Sequence, residues 1–457
     1  MKKGKTSKVS TVKSQRRVLS KFTFFAFTIL LLKTFWLFNQ VGRGMLGADG
    51  ENYLEALDGL LEDGFFSQQN KLSYWPAGYP ILMWPLAIFD LKNLAFLVGS
   101  LQSLIFAVSS VLFAYELSQI SLRKFAWPAL IFLNLSPTLS MNSVVIGYEV
   151  TASSLLLLAI SLYLKMIRMK SKSAHSLDVV IAASALMLST FMQPRTLVLA
   201  IGVVVPFAVF HFRAKFIGVF LIVTMAIIAI APTILVYRNL NSNGYAAVST
   251  NLGVTMNVGA GPLANGGYSN SASGVPCVSI EGNSAQQDNH RIRCVLEWYK
   301  ENPSKALKLS LNKFLFFWSP WFGPLANGTM ARNPWLSLHP FSETVKTQDG
   351  YEMVFGAVGK TISWLWVMVS LLLIVLGFIA LRRRGGVSTL LAWMLGVPVV
   401  LNTLSSVATI GDHRFRIQTL ACSVLLQVFG IYFLFSKKLF LRGLDGKMVL
   451  KQGSDTK

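Results

Sequence analysis

Charge is scarce in this chain, and acid scarcer still. Only 14% of its 457 residues are charged, and 20 acids stand against 42 basic residues. An ordinary soluble domain is roughly a quarter charged, so that class is excluded. Cysteine is almost missing, with 3 residues. No His/Cys cluster has metal-ligand spacing, and no Gly-rich Walker motif is present. There is no internal repeat. The apolar runs are continuous, without the period-two alternation that a membrane β-barrel needs. No small-residue cleavage site follows the first apolar stretch, Phe22 to Phe38. That stretch therefore reads as a retained helix and not as a signal peptide.

What is abundant is apolar surface. Hydrophobic residues make up 53% of the chain, and the mean hydropathy is +0.52. Runs near twenty residues recur, long enough to cross a hydrocarbon core of about 30 Å. The reading is an all-α polytopic membrane protein. Ten spans are expected, near 22–40, 93–117, 125–141, 150–167, 178–193, 196–212, 216–237, 360–381, 387–407 and 417–436. The net charge of +22 might suggest nucleic acid, but its distribution excludes that. "SLRK" (121–124), "KMIRMKSK" (165–172), "HFRAK" (211–215), "RRR" (382–384) and both termini all fall on one side of the ten-span count. By the positive-inside rule that side is cytoplasmic. Anionic lipid is the plain partner for such patches.

The domain plan follows from the spans. A basic cytoplasmic tail covers 1–21, and a transmembrane core covers 22–237 with a first outer loop at 41–79. A large outer loop covers 238–359, further spans cover 360–436, and a cytoplasmic tail covers 437–457. The large loop opens Gly/Asn-rich, "NLNSNGYAAVSTNLGVTMNVGAGPLANGGYSN", a composition that favours turns over helix. Helical periodicity resumes at "CVLEWYKENPSKALKLSLNKFLFFWSP". There Asn302 and Pro303 form an N-cap and N1 pair, and Phe314, Phe317, Trp318 and Trp321 suggest an interfacial helix. Cys422 lies inside a span and reads as inert packing. Cys277 and Cys294 share the outer loop, which leaves two outcomes open, a disulfide or two free thiols.

Residues able to do chemistry gather at the outer ends of the spans. In "MLGADGENYLEAL" the acids Glu51, Glu55, Asp58 and Glu62 share one face of an amphipathic helix, with Tyr53, Leu54, Leu57, Leu60 and Leu61 on the other. Glu55, Asp58 and Glu62 read as a solvated stripe. Asp49 precedes that helix and is open between an N-cap and a general base. "YWPAGYP" reads as a re-entrant or interfacial turn around Tyr79. Glu149 opens a span in "VIGYEVTASS" and could be a helix-start acid. "GDHRFR" places Asp412, His413, Arg414 and Arg416 before the last span. Guanidinium groups there violate the positive-inside rule and fit phosphate oxygens, with a salt bridge to a loop acid as the bland alternative. Arg195 in "QPR" and Arg238 beside Asn239 in "YRN" are further cations on that side.

These motifs, taken in order from about residue 20 to 436, resemble the multi-pass C-type glycosyltransferases that use a polyprenyl-phosphate sugar. The branch is that of the dolichyl-phosphate-mannose protein mannosyltransferases and their bacterial relatives. "ADGENYLEA", "PAGYP", "QPR", "YRN", "NP…K…F" and "GDHRFR" carry the resemblance. His413 stands where the pattern has proline, Phe415 where it has tyrosine and Gln418 where it has proline.

The resemblance implies that Asp49 is the catalytic base and Glu149 a second acid. It implies that Arg414 and Arg416 bind the lipid phosphate, with His413, Arg195 and Arg238 in the same donor region. Glu51, Tyr53, Tyr79 and Asn239 would line the substrate cavity. The partners implied are a polyprenyl-phosphate sugar, a glycan, lipid or protein acceptor, and the bilayer. No cofactor is required, although a divalent ion on Asp49 and Glu149 stays open. The expected place is a bacterial inner or plasma membrane with the site on the outer face. A lipid-linked sugar flippase or a polysaccharide polymerase is the alternative reading.

Overall fold

The computed structural model describes residues 3–39, 46, 49–169, 172–212, 214–267, 274–320, 341–354 and 356–435. Trp321 and the C-terminal tail 437–457 lie outside the described residues. Among those described the chain is α-helical, and its only β feature is an isolated bridge between Leu46 and Ile146. The helices are α1 (Lys3–Phe38), α2 (Gly50–Asp63), α3 (Lys71–Tyr74), α4 (Gly78–Asp90), α5 (Leu94–Gln119), α6 (Ala126–Leu135), α7 (Glu149–Arg168), α8 (Lys172–Met192) and α9 (Leu197–His211). There follow α10 (Ala214–Asn243), α11 (Leu252–Val258), α12 (Ser284–Glu301), α13 (Pro303–Trp318), α14 (Phe341–Lys346), α15 (Gln348–Val354), α16 (Ala357–Arg383), α17 (Gly386–Ala408) and α18 (Leu420–Phe435).

Among the described residues 8 stretches are long and apolar enough to cross a membrane, and Ser176–Met192 within α8 is a shorter apolar helix. The expected span 125–141 is not one helix. Ser136 is extended (ψ 116°) ahead of Pro137, and a five-residue π turn, Pro137–Met141, follows. The cause is local: a residue before proline is pushed out of the helical region. The chain then runs without a helix to Tyr148, which brings Glu149 to the head of α7. Other expectations shift for similar reasons. The "PAGYP" turn is confined to Trp75–Ala77, after which Gly78 opens a 13-residue helix. The Gly/Asn-rich start of the large loop continues α10 to Asn243 and then forms α11. α12 begins at Ser284, ahead of the expected point, because Asn283 and Gln286 make a reciprocal capping box. Asn302 and Pro303 do begin α13, but the Asn302 side chain bonds back to the Trp298 carbonyl instead of capping.

Helix α7 is the axis of the bundle. In it 83% of the apolar window is buried inside the protein, against 22% for α1. α1 instead shows Phe24, Leu31 and Phe35 to the surroundings, as a lipid-facing span should. Ion pairs fix which helix ends coincide. Arg168 at the end of α7 forks onto Glu116 near the end of α5 at 2.8 and 2.9 Å. Lys165 meets Asp178 of α8 at 2.7 Å. The heads of α7, α9 and α18 therefore lie together at the opposite end of the bundle, with the tails of α1, α10 and α17.

Lipid chains are as apolar as leucine, so helices in a bilayer associate through close packing and not through burial from water. Glycines supply that closeness. A Cβ on Gly430 of α18 would stand 2.2 Å from the Leu373 carbonyl oxygen of α16, and one on Gly377 of α16 1.9 Å from the Leu426 oxygen. Gly430→Val should push the two helices apart and cost about 1–3 kcal/mol. A thermal melt of detergent-purified protein reads this as a lower melting temperature, and an unchanged melt would contradict the packing.

Candidate active site at one end of the bundle

Asp49 is the residue before α2, but its carboxylate does not cap that helix. It accepts a hydrogen bond from Arg414 Nη1 at 2.8 Å, joining positions 365 residues apart. Arg414 is presented by a short 3-10 helix, His413–Thr419, which Asp412 caps by accepting from the Arg414 backbone N–H at 2.8 Å. The Asp412 carboxylate also lies 3.9 Å from Arg414 Nε. Glu149, at the head of α7, stands in the field of Arg414, Asp49 and Asp412. Asp49 and Asp412 thus flank one guanidinium, with Glu149 in its field. The Asp49 and Arg414 side chains keep 13% and 16% of their exposure, so the pair can be reached from solvent.

A wall of tyrosines closes one side. Tyr53 of α2 packs edge-on to Tyr79 at 5.0 Å and to Tyr148 at 6.3 Å between ring centres. Burial, and then the charge of Asp49, holds the Tyr53 hydroxyl protonated well above its usual range. Burial and then Glu149 do the same to Tyr148. Tyr148 accepts from Gln193 and from Gln418 at 3.1 Å each. Tyr79 donates to Gln102 Oε1 at 3.1 Å and accepts from the Gly147 N–H at 2.9 Å.

Gln102 belongs to a buried polar network that the sequence reading missed. Its amide donates to the Val145 carbonyl at 2.7 Å, and its Oε1 also accepts from Thr151 at 2.9 Å. Ser103 and Ser143 share a hydrogen bond at 2.9 Å. Lys33, inside the first span, donates to Ser143 Oγ at 2.8 Å and to the Ser140 carbonyl at 2.9 Å. The one visible sign was a lysine in the middle of an apolar run, where an ionisable side chain is costly and needs partners.

The cations expected together are divided among separate tasks. Arg414 and Arg416 were expected to bind the lipid phosphate, and for both to reach it "GDHRFR" would have to be extended, so that side chains two apart share a side. The segment is instead a 3-10 helix, which turns about 120° per residue and sends residues two apart in different directions. Arg416 is buried, donating to the Ser319 carbonyl at 2.6 Å under the Trp318 ring. His413 is buried too, against the Phe316 backbone.

Arg195 approaches the cluster and sits 4.0 Å from the Phe415 ring. Its fork, however, is spent on Ser405, Ser406 and Asn402 of α17. Arg238 is wholly buried and holds the carbonyls of Phe65, Ser67 and Leu72, with Asn239 Oδ1. Asn239 in turn donates to the Ala247 carbonyl at 2.8 Å. Arg238 and Asn239 therefore tie α10 to the loop between α2 and α3 and do not face Asp49. Glu51 is exposed on the polar face of α2 together with Glu55, Asp58 and Glu62, so it lines no cavity with Tyr53.

Cys277 and Cys294 come together but remain free thiols. Cys277 Sγ accepts from Asn257 at 3.6 Å and Cys294 Sγ faces His290 Nε2 at 3.7 Å. Among the described residues no group of three His, Cys, Asp or Glu side chains is placed to hold a metal ion.

The strap carrying Asp412 is anchored from α13. Lys313 is buried and donates to the Thr409 carbonyl at 2.6 Å and to Tyr299 Oη at 2.8 Å. Burial pulls its ammonium from 10.5 down to about 8. Between those two values the unfolded chain binds more protons than the folded one, so stability rises with pH across that window and is lowest below it. Melting temperatures of the wild type should therefore climb from pH 8 towards pH 10, and Lys313→Met should flatten the climb. Equal slopes in both proteins would contradict the assignment. A second outcome separates the two arginines. Arg416→Gln should lower the melting temperature by stranding buried carbonyls, at about 1–3 kcal/mol.

Comparisons with protein-family models, with curated proteins and with solved structures found no match for this chain.

Proposed function

We propose that the protein is an integral-membrane glycosyltransferase. It moves a sugar from a polyprenyl-phosphate donor to an acceptor hydroxyl at the outer face of a bacterial inner or plasma membrane. The observation that carries this reading is the solvent-reachable Asp49–Arg414 pair, 2.8 Å apart, at the end of a bundle of apolar helices. A carboxylate base and a phosphate-binding guanidinium at a bilayer boundary suit a substrate with a lipid tail and a charged head.

The pair suggests how the two groups work in turn. Without donor, Arg414 neutralises Asp49. A donor phosphate competes for the guanidinium, whose planar fork fits phosphate oxygens. Asp49 is then released to accept the proton of the incoming hydroxyl. As the glycosidic bond breaks, negative charge grows on the leaving phosphate, and Arg414 stabilises it. One base and one displacement invert the anomeric carbon. The protonated hydroxyls of Tyr53 and Tyr148 are donors suited to holding the sugar. Arg414 takes the phosphate role alone, because Arg195, Arg238 and Arg416 are spent on backbone and side-chain partners.

A flippase reading draws on Lys33 and its polar network, which reach from inside the first span towards Tyr79. Transfer without any transmembrane gradient, in detergent, separates the two. The test uses purified protein, a panel of radiolabelled polyprenyl-phosphate hexoses and pentoses, and envelope extract as acceptor. Asp49→Asn should cut transfer on the order of 10²–10⁴-fold. Wild-type turnover in that variant would refute Asp49 as base. Failure of every donor with the wild type would refute the activity.

A further inference from the structure

Two basic stretches far apart in sequence, "SLRK" at 121–124 and "RRR" at 382–384, meet at the end of the bundle opposite Asp49. Lys124 sits in the 3-10 turn Arg123–Phe125 between α5 and α6, and Arg384 is the C-cap of α16. Both lean on one aromatic platform. Phe125 and Tyr432 of α18 pack with ring centres 4.8 Å apart. Lys124 Nζ lies 5.3 Å from the Phe125 centre and 4.7 Å from that of Tyr432. Arg384 Cζ lies 5.1 Å from the Phe125 centre.

Ring faces attract each cation, but the two cations repel each other. Neither makes an ion pair with an acid among the described residues. Their neighbours at the same end behave otherwise. Arg168 is matched by Glu116 at 2.8 Å and Lys165 by Asp178 at 2.7 Å. Among the described residues, Lys124 and Arg384 are two exposed cations on one platform with no acid beside them, a place suited to an anion. The place indicates the source. Both residues lie just past the membrane-crossing parts of α5 and α16, at the depth of lipid headgroups. The adjoining α6 offers exposed Trp127, Phe132 and Leu135 to acyl chains.

We propose that Lys124 and Arg384 form a binding site for the phosphate of an anionic glycerophospholipid. The ammonium and the guanidinium hold the phosphate oxygens, and the Phe125–Tyr432 platform keeps the two cations in place between lipid exchanges. The site is independent of the proposed glycosyl transfer.

The full-length protein in neutral detergent is titrated with short-chain phosphatidylglycerol, phosphatidylcholine or inorganic phosphate, and bound species are counted by native mass spectrometry. A basic charge near a lipid surface is worth about fivefold in affinity. Lys124→Gln/Arg384→Gln should therefore weaken phosphatidylglycerol binding on the order of 30-fold and leave phosphatidylcholine unchanged. The paired change Lys305→Gln/Lys308→Gln, on exposed positions of α13, should leave both lipids unchanged. Three results would each overturn the site: wild-type phosphatidylglycerol binding in the first variant, an equal loss in the second, or inorganic phosphate binding as tightly as the lipid. A thermal melt of each variant accompanies the titration. Loss of phosphatidylglycerol from a variant that has itself unfolded counts only if Lys124→Arg, which keeps the charge, restores both.

Discussion

Inside a bilayer a polar group has no water to turn to, and most of this architecture answers that constraint. Helices leave no backbone group unmet, so the interesting places are where the helix stops. The break from Ser136 to Tyr148 sets free backbone carbonyls within the bundle, and Lys33 and Gln102 are the side chains that meet them. Arg238 serves the loop after α2, and Arg416 serves the end of α13. Each of these long polar side chains stabilises a non-helical turn. Irregular backbone is tolerated there because it is buried in protein. The first of these turns leads to Tyr148 and Glu149, and Lys313 does the same service for the strap that carries Asp412.

Much of this was legible beforehand, and the reasons are physical. Spans declare themselves by length and continuous apolarity, so most helices in the membrane lie near their expected places. The acidic stripe of α2 follows from helical periodicity alone and is exposed as that period requires. Acids at the outer ends of spans pointed to Asp49 and Glu149, and arginines on the wrong side of the topology to Arg195 and Arg414, and these four do come to one region. What could not be read was the direction of a side chain. Whether Arg414 or Arg416 reaches Asp49 depends on whether "GDHRFR" is extended or 3-10, and both conformations suit its composition. Arg238 and Arg195 were detectable as costly residues, yet a buried guanidinium looks the same in sequence whether it holds backbone carbonyls or a ligand. The polar network of Gln102, Ser103 and Ser143 has no signature, since such residues are ordinary in membrane helices.

The two ends of the bundle handle charge in contrasting ways. At the Asp49 end Asp49 and Asp412 lie on one guanidinium, with the Glu149 carboxyl in its field. At the other end Lys165 and Arg168 each have an acid, while Lys124 and Arg384 lie on aromatic rings. A surplus of either sign is expensive at a bilayer boundary unless something outside the chain answers it. A proton or an incoming ligand can do so at the first end, and a lipid headgroup at the second.

The distance along the chain between Asp49 and Arg414 sets a timetable for biogenesis. Asp49 leaves the ribosome with the first span, and Arg414 belongs to the last. A nascent protein therefore carries that carboxylate without its guanidinium until a further 365 residues have been made. Truncated products cannot neutralise that acid, because the segment that does so is the one they lack.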